Sequence, residues 1–376
     1  MNLLSKAVGP NGYRPGGAAV AQQQQQYPQS QHHSHNDHPS HRRTSSTAGQ
    51  AAPGPPGVSE YPWGTSLEES SARSNRSINE IGTYNPGTIL SVNGTNVLVE
   101  RFLAQGGFAH VYVVSATGSN GESQTAVLKR VACPDADALK DAEHEISFMR
   151  QLKGHKNIVT YLDSSVQKLR TGIYEVFILM EHCRGGHLVD FLNTRLTTRL
   201  SEPEVLHIFS DICEGVAHMH YLSPPIIHRD IKVENVLIAD NNVHKLCDFG
   251  SATIRRIEPG TSMGAQEIRL LEEEVGKYTT LQYRSPELCD LYQKKGMTEK
   301  MDMWALGVLL YKLCFFTTPF EDSGALAILN VRYTMPTHPA YSRNLLAIIE
   351  SMLVADVHAR ANIYQVFSAV CRLRGV

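Results

Sequence analysis

Residues 226–237 read Ile-Ile-His-Arg-Asp-Ile-Lys-Val-Glu-Asn-Val-Leu, and residues 246–250 read Leu-Cys-Asp-Phe-Gly. In both stretches, polar side chains lie on a short loop between apolar, strand-like runs. Together they supply two carboxylates, a lysine and an amide, at Asp230, Asp248, Lys232 and Asn235. Such groups hold Mg²⁺ against phosphates while a hydroxyl is aimed at one of them. The two stretches therefore predict phosphoryl transfer, with a nucleotide lid upstream and a substrate platform downstream.

The bulk composition excludes several classes of protein. The 376 residues carry a formal net charge of −2, which gives no electrostatic indication of nucleic-acid or membrane-surface binding. The seven cysteines are odd in number and lack a C-x-x-C pair, which argues against a disulfide framework or zinc site and for a reducing compartment. No signal peptide, myristoylation site or membrane-spanning run is predicted, so we expect a soluble, cytoplasmic protein.

Residues 1–83 differ sharply from the rest of the chain. They contain a glutamine run at 22–26, histidines clustered between 32 and 41, and proline-glycine punctuation at 53–57. Leu, Ile and Val are sparse there, so the segment has too little apolar surface to offset its chain entropy. We therefore predict a disordered Gln/His/Ser/Pro-rich arm, with structure beginning near Tyr84.

Short β-forming runs follow the arm. The runs at 88–92 and 96–103 flank Asn93-Gly94, a pair typical of hairpin turns. The next stretch, 104–112, is a glycine-bearing turn that by itself reads as an ordinary hairpin tip. Because Lys129 follows on the next predicted strand, the turn instead indicates a lid over nucleotide phosphates, where glycine lets backbone N–H groups approach the oxygens.

A helix is predicted over residues 137–152 from the spacing of its apolar side chains. Glu145 lies sixteen residues after Lys129 and would orient that lysine toward the phosphates through an ion pair. Helical spacing favours Glu145 only weakly, because Glu143 also lies beside an apolar stripe. A fully solvated acidic face is the other interpretation of these side chains.

Strands are predicted at 158–162 and 174–180, and helical patterns dominate after them. Ser201 to Glu204 form a capping box that opens an amphipathic helix extending to about residue 222. The later predicted helices are a short one at 267–274, one from residue 302 onward, one at 342–352 and one at 363–373. The pattern is that of an α+β protein.

In their order and spacing, these motifs resemble those of the eukaryotic protein kinases. The motifs are the lid, Ala-x-x-Lys at 126–129, the helix glutamate, His-Arg-Asp-x-x-x-x-Asn at 228–235, Asp-Phe-Gly at 248–250 and Ser-Pro-Glu at 285–287. The resemblance covers about residues 97–373. A narrower set is similar to the Numb-associated kinase family and, within it, to the adaptor-associated kinases: 105–109, 154–159, 183–186, 232–235, 247–253, 277–284 and 302–307.

The resemblance implies the bilobal protein kinase fold. After the arm at 1–83, a small β-rich N-terminal lobe would occupy 84–182 and a larger, mainly helical C-terminal lobe 183–376. ATP and Mg²⁺ would be used to phosphorylate Ser or Thr of a protein substrate, with a clathrin adaptor subunit as the expected class. We expect a monomer that reaches endocytic membranes peripherally through adaptors. Relatives carry a Gln/Pro-rich tail after the kinase domain, and whether one belongs to this protein, whose sequence here ends at Val376, stays open.

The resemblance also implies the roles of individual residues. Asp230 would orient the substrate hydroxyl and accept its proton, Lys232 would reach the transferring phosphate, and Lys129 with Glu145 would hold the α- and β-phosphates. The Mg²⁺ ligands would be Asn235 and Asp248. The nucleotide contacts would be Leu103, Ala104, Gly106, Gly107, Val111, Ala126, Lys129, Met180, Glu181, Cys183 and Leu237. Each adenine contact taken singly is also explained by plain core packing.

Further implications concern the substrate side of the site. Lys232 together with Thr280, five residues before Ser285, suits serine/threonine rather than tyrosine kinases. Glu287 would pair with Arg360, and residues 288–295 match a family-specific helix after the activation segment.

Arg229 would bind a phosphate carried by the activation segment, which is the stretch between Asp-Phe-Gly at 248–250 and Ser-Pro-Glu at 285–287. The candidate carriers are Thr253, Thr261, Ser262 and Thr279. The acidic run at 272–274 has two interpretations, a replacement for that phosphate or a solvated face. Ala104 and Ala109 stand where kinases usually have glycine and would stiffen the lid.

Two alternatives stay open at this point. A pseudokinase scaffold would act through partner binding, but such proteins typically lack the lysine or one of the aspartates that are present here. Cys247, beside the predicted metal ligand Asp248, would be either a reachable thiol or a buried, inert one.

Overall fold

The computed structural model describes residues 82–106, 109–118, 121–321 and 324–376. The predicted arm, apart from residues 82 and 83, and the predicted phosphate contact Gly107 lie outside these ranges. The division of the chain at residues 83 and 182 stays a prediction.

The first half of the described chain is built on a six-stranded antiparallel sheet in the order β1-β2-β3-β4-β6-β5. Its strands are β1 (Ile89–Val92), β2 (Thr95–Gln105), β3 (Ala109–Thr117), β4 (Ser123–Cys133), β5 (Tyr161–Lys168) and β6 (Tyr174–Glu181). Asn93 and Gly94 turn between β1 and β2 with positive φ, so the predicted hairpin is confirmed.

The strand predicted at 158–162 is displaced along the chain, since β5 begins at Tyr161. Ile158 and Val159 pair instead with Leu246, whose carbonyl accepts from the Val159 N–H at 2.9 Å. Residues 158 and 159 therefore bond to the second half of the chain, and β5 begins only after this contact.

Helix α1 (Ala136–Gln151) crosses behind the sheet and confirms the helix predicted at 137–152. Asp135 caps its first turn by accepting from the Ala138 N–H at 2.8 Å. Its buried side chains include Ala142, Ile146 and Met149, which recur at helical spacing and pack into the main core.

Helices form most of the second half. They are α2 (Leu188–Thr194), α3 (Glu202–His220), α4 (Ala265–Tyr278), α5 (Pro286–Cys289), α6 (Lys300–Phe315), α7 (Gly324–Leu329), α8 (Arg343–Met352) and α9 (Ile363–Arg374). A short hairpin of β7 (Val236–Ile238) and β8 (His244–Leu246) lies among them. The capping box predicted at Ser201 is present, with Glu204 accepting from the Ser201 N–H at 2.8 Å.

The main hydrophobic core is centred on α6, whose side chains are buried almost all round the helix. This explains why α6 has no amphipathic pattern, whereas α3 and α8 each bury one face toward α6, and α9 packs on α3 and α8. Within the described part of the chain, no helix has both the length and the apolarity needed to cross a bilayer.

Two predicted helices differ from the structure. The short helix at 267–274 is longer, since α4 runs over 14 residues. The helix predicted at 288–295 is wrong: α5 ends at Cys289, and only a short 3₁₀ turn follows. The side chain of Asp290 accepts from the Tyr292 N–H, and Lys294 takes a left-handed φ of 52°, so the chain turns there.

Candidate active site

Lys129 on β4 and Glu145 on α1 form an ion pair. The lysine Nζ donates to both carboxylate oxygens of Glu145, at 2.7 and 2.9 Å. The alternative acid, Glu143, is exposed on another face of the helix, so the structure selects Glu145. Burial opposes the charge on Lys129, but the Glu145 carboxylate and Asp248, 3.7 Å away, outweigh it and raise the pKa of the lysine above its usual value.

Asp230, Lys232 and Thr280 form a closed triangle of polar contacts, named here the acceptor triangle. The Thr280 hydroxyl donates to Asp230 Oδ1 at 2.7 Å, and Lys232 Nζ donates to Thr280 Oγ1 at 3.0 Å. Lys232 Nζ also lies 2.8 Å from Asp230 Oδ2. Thr280 reaches this point from the far end of the activation segment, fifty residues after Asp230. The triangle fixes one carboxylate and one ammonium group side by side, and each side chain keeps a small exposed fraction.

Asn235 and Asp248, the predicted Mg²⁺ ligands, lie on adjacent backbone segments. The Cys247 N–H donates to the Asn235 backbone carbonyl at 3.0 Å, and the Asn235 amide nitrogen donates to the Asp230 backbone oxygen at 2.8 Å. The side-chain oxygen of Asn235 is the atom left for a cation. Burial raises the pKa of Asp248, but Lys129 and Lys232 outweigh it, so the net pKa is lowered and the side chain is a carboxylate. Two oxygen donors of this kind fit Mg²⁺.

Arg229 and Asp248 have left-handed φ angles of 69° and 62°, which non-glycine residues adopt rarely. Asp302 holds the first of these bends. Its carboxylate accepts from the backbone N–H groups of His228 and Arg229 at 2.8 and 2.9 Å, and it lies 2.9 Å from His220 Nε2. Because Asp302 is fully buried, these hydrogen bonds are shielded from water and hold the backbone of the loop that carries Asp230 in one conformation.

The sequence placed Asp302 at the start of a helix and in the 302–307 family motif, but its supporting role was not predicted. Burial raises its pKa, but the hydrogen bond and charge of His220 outweigh that effect, so the net pKa lies below the usual value. A carboxylate in the first turn of a helix that is otherwise apolar was the signal that pointed to a buried acid with fixed partners.

The family of the chain is shown by its similarity to known proteins. A sequence model of the protein kinase domain matches residues 98–370. The chain belongs to the protein kinase family. Its β-rich first half and helical second half are the two lobes predicted for a bilobal kinase.

Similar kinases come from yeasts. Actin-regulating kinase 1 of Saccharomyces cerevisiae is 46% identical over 301 residues, which cover 79% of this chain and 47% of that protein. Serine/threonine-protein kinase ppk30 of Schizosaccharomyces pombe is 45% identical, covering 77% and 30%. Actin-regulating kinase PRK1 of S. cerevisiae is 45% identical, covering 78% and 36%. These relatives confirm the Numb-associated kinase family. The chain spans less than half the length of each.

In this kinase, the predicted adenine contacts lie around the junction of the lobes. Val111 and Ala126 are buried on β3 and β4, and Ala126 is paired in register with Glu181 on β6. The Glu181 carboxylate accepts from the Thr160 N–H at 2.6 Å and from Lys245 Nζ at 2.7 Å, so its side chain is anchored. The backbone of Glu181 is the part that can bond an adenine edge.

The remaining predicted nucleotide contacts lie on the lid hairpin, on β6, on the connector after it and on β7. Ala104 pairs with Val111, and the Gly106 N–H donates to the Ala109 carbonyl at 2.8 Å, which closes the base of the lid hairpin. Leu103 is exposed on the same hairpin. The other contacts, Met180, Cys183 and Leu237, are buried or half-buried on β6, the following connector and β7.

Cys247 is a buried thiol. It is 3% exposed, and burial raises its pKa well above the usual thiol value. The structure therefore favours the inert interpretation of this cysteine, because the reactive thiolate is the disfavoured form. Cys183 is similar, with burial raising its pKa to about 12.

Among the described residues, one further group has metal-ligand chemistry: His207, Asp211 and His244. Asp211 Oδ2 accepts from the His244 backbone N–H at 2.9 Å and lies 3.0 Å from its Nδ1. His207 Nε2 lies 3.1 Å from the Asn242 carbonyl, so each of the three side chains has a polar partner within the protein.

Proposed function

We propose that this chain is an active serine/threonine protein kinase, which transfers the γ-phosphate of Mg-ATP to Ser or Thr hydroxyls of a protein substrate. The observation that carries the proposal is the acceptor triangle, which is connected to the predicted metal and phosphate ligands: Asn235 donates to Asp230, and Asp248 lies 3.7 Å from Lys129 of the Lys129–Glu145 pair. Each group needed for phosphoryl transfer is present and is already held by its neighbours.

In the proposed reaction, Asp230 orients the acceptor hydroxyl and takes its proton, while Lys232 stabilises charge on the phosphoryl group in transit. Glu145 fixes Lys129, which binds the non-transferring phosphates. Mg²⁺, held by Asn235 and Asp248, would neutralise phosphate charge. Because Thr280 and Asn235 both hydrogen-bond the Asp230 side chain, its carboxylate is oriented before a substrate arrives.

The pseudokinase alternative is not favoured. A scaffold that had lost catalysis would have no reason to keep Lys129 charged in a buried pair or to place Asp230 under three hydrogen-bonding side chains. The specificity for Ser and Thr rests on Lys232 and Thr280 and on relatives named as serine/threonine kinases.

For the biological setting, we propose regulation of endocytic trafficking by a monomeric, cytoplasmic enzyme that acts at endocytic membranes on clathrin adaptor subunits or associated proteins. Support comes from the Numb-associated resemblance and from relatives named as actin-regulating kinases. Phosphosite mass spectrometry after acute inhibition would test it: loss of sites on adaptor or actin-regulating proteins is the expected result, and loss confined to unrelated proteins would refute it.

The catalytic proposal is tested by transfer of radiolabelled phosphate from Mg-ATP to matched threonine and tyrosine peptides. Lys129→Met and Asp230→Asn should each lower the rate by at least about 100-fold. Lys140→Met is the matched control, because Lys140 is exposed on α1, the helix that carries Glu145. Equal rates for all four proteins, or preference for the tyrosine peptide, would refute the proposal.

A further inference from the structure

Helix α4, within the activation segment, places a carboxylate on Arg229. The Arg229 side chain is 7% exposed, and its Nη1 donates to Glu274 Oε1 at 2.5 Å. Its Nε donates to the Ser251 carbonyl, and its guanidinium lies 4.7 Å from the centre of the Tyr278 ring. Arg255 reaches the other Glu274 oxygen at 2.8 Å. Glu274 is thus shared by the guanidinium groups of Arg229 and Arg255. The side chain of Arg229 is buried, and the residue lies in the catalytic loop, the motif at 228–235 that carries Asp230.

The structure distinguishes Glu274 from the other two members of the acidic run. Glu272 and Glu273 are exposed, whereas the Glu274 side chain is 23% exposed and lies toward Arg229. A helix rotates by about 100° per residue, so only one of three consecutive side chains can face the arginine. Glu272 and Glu273 therefore fit the interpretation of a solvated face, and Glu274 is the member of the run that contacts Arg229.

The last turn of α4 is tied to α1. Lys277 Nζ donates to Asp141 Oδ2 at 2.6 Å, and the Tyr278 hydroxyl donates to Asp141 Oδ1 at 3.0 Å. Asp141 lies four residues before Glu145, so the two carboxylates are one turn apart on the same helix. The contact holds the part of α1 that presents Glu145 to Lys129.

The hydroxyls that were candidates for phosphorylation have local partners. Thr261 donates to the Glu258 carbonyl at 2.6 Å, and Thr279 donates to the Val275 carbonyl at 2.7 Å. Thr253 accepts from the Arg255 N–H at 3.0 Å. Ser262 lies 3.5 Å from Lys294 Nζ. In this structure, the side chain of the segment that contacts the Arg229 guanidinium with a carboxylate is that of Glu274.

We infer that Glu274 is a positioning residue that takes, on Arg229, the place of an activation-segment phosphate, and that α4 thereby holds both the catalytic loop and Glu145 in working position without phosphorylation. The inference rests on the proposed kinase activity. A carboxylate has less charge than a phosphate, but two guanidinium groups on one carboxylate, with the second tie at Asp141, supply the order that a phosphate would bring.

The test uses the full chain after treatment with a phosphatase that is then removed, with mass spectrometry showing the activation segment free of phosphate. The wild type should keep its kcat within about twofold, while Glu274→Gln in the same state should lose about 10-fold or more. Glu273→Gln, one residue away and exposed, is the matched control and should equal the wild type.

Three readouts separate positioning from mere folding. Glu274→Asp keeps the charge and should be faster than Glu274→Gln. The affinity of the Gln variant for Mg-ATP should stay within about twofold of wild type, because Lys129 and Asp248 are untouched. Tyr278→Phe, which removes one donor to Asp141, should lower kcat by a few-fold, and its effect should not add fully to that of Glu274→Gln.

The outcomes distinguish this inference from the proposed function. Loss of activity on dephosphorylation, or equal kcat for wild type and Glu274→Gln, would overturn the role of Glu274 while leaving the kinase proposal intact. Equal losses for the Asp and Gln variants would also overturn it. Absence of transfer by the wild type in both phosphorylation states would overturn the kinase proposal and, with it, the inference.

Discussion

The buried ion pair between Glu287 and Arg360 offers a sharp test of how this fold is held together. The predicted pair is present and bidentate, with Arg360 donating to the two Glu287 oxygens at 2.6 and 2.8 Å. Arg360 also donates to the carbonyls of Val354 and Lys300 and lies 5.2 Å from the Trp304 ring. Both side chains are at most 2% exposed. The perturbation is Glu287→Gln, which removes the negative charge and keeps the shape.

The expected cost follows from what is left behind. A guanidinium that stays buried without its counter-charge costs roughly 3–5 kcal/mol when one partner of such a pair is removed. Because Arg360 keeps two carbonyl acceptors and the amide oxygen of the new Gln, the lower figure of about 3 kcal/mol is expected. With an unfolding entropy of about 2.1 cal/mol/K for each of the roughly 290 described residues, that corresponds to a fall in melting temperature of about 5 °C.

Thermal unfolding followed by circular dichroism would measure the shift. The matched control is Glu350→Gln, because Glu350 pairs with Arg343 at 2.8 Å but both side chains are largely exposed. The control should melt with the wild type, since water and salt screen an exposed pair. A shift below about 2 °C for Glu287→Gln, or equal shifts for both variants, would refute the burial argument.

Three further predictions concern other parts of the fold. The Asp302→Asn variant should be less stable than the wild type by about 3 kcal/mol at neutral pH. Because the folded pKa of Asp302 lies below 3.8, the stabilisation by its carboxylate is present above pH 3.8 and is lost as the pH falls through the folded pKa. The difference between the two proteins in urea unfolding should therefore shrink in acid. Cys247 should resist alkylation in the native protein at mildly alkaline pH and react after unfolding, and native labelling as fast as that of the partly exposed Cys371 would contradict this. Gly307→Ala should destabilise by roughly 1–3 kcal/mol, because the new Cβ would lie 2.9 Å from atoms of both Leu353 and Met352. Gly276→Ala, at a helical glycine with open space around its Cβ, should instead gain up to about 1 kcal/mol, and the same sign for both glycines in thermal unfolding would be the contrary result.

The motifs on short loops were predictable because they combine fixed spacing with unusual residue types between apolar runs. Asp230, Lys232 and Thr280, named from sequence, lie in mutual contact in the structure. Their roles in catalysis stay predictions. Local helices were predicted where one apolar stripe alternates with polar residues, as in α1, α8 and α9.

What the sequence left undecided depends on contacts between distant segments. Spacing could not choose Glu145 over Glu143, because the choice is made by Lys129 on another element. The tie between Tyr278 and Asp141 joins residues 137 positions apart, and no local pattern reports it. The helix at 288–295 was implied by the resemblance and not by a local pattern; in the structure, the Asp290 side chain caps a short turn there and Lys294 is left-handed.

The pairing of Glu274 with Arg229 bears on how such an enzyme can be controlled in a cell. The Glu274 carboxylate is part of the encoded sequence, so it is present as soon as the chain folds and a phosphatase cannot remove it. Signal strength would then depend on how many copies exist, where they are held and how long they persist. Recruitment and turnover would then take the role that reversible modification has in other kinases, and the time that the enzyme spends beside its substrate would set its output.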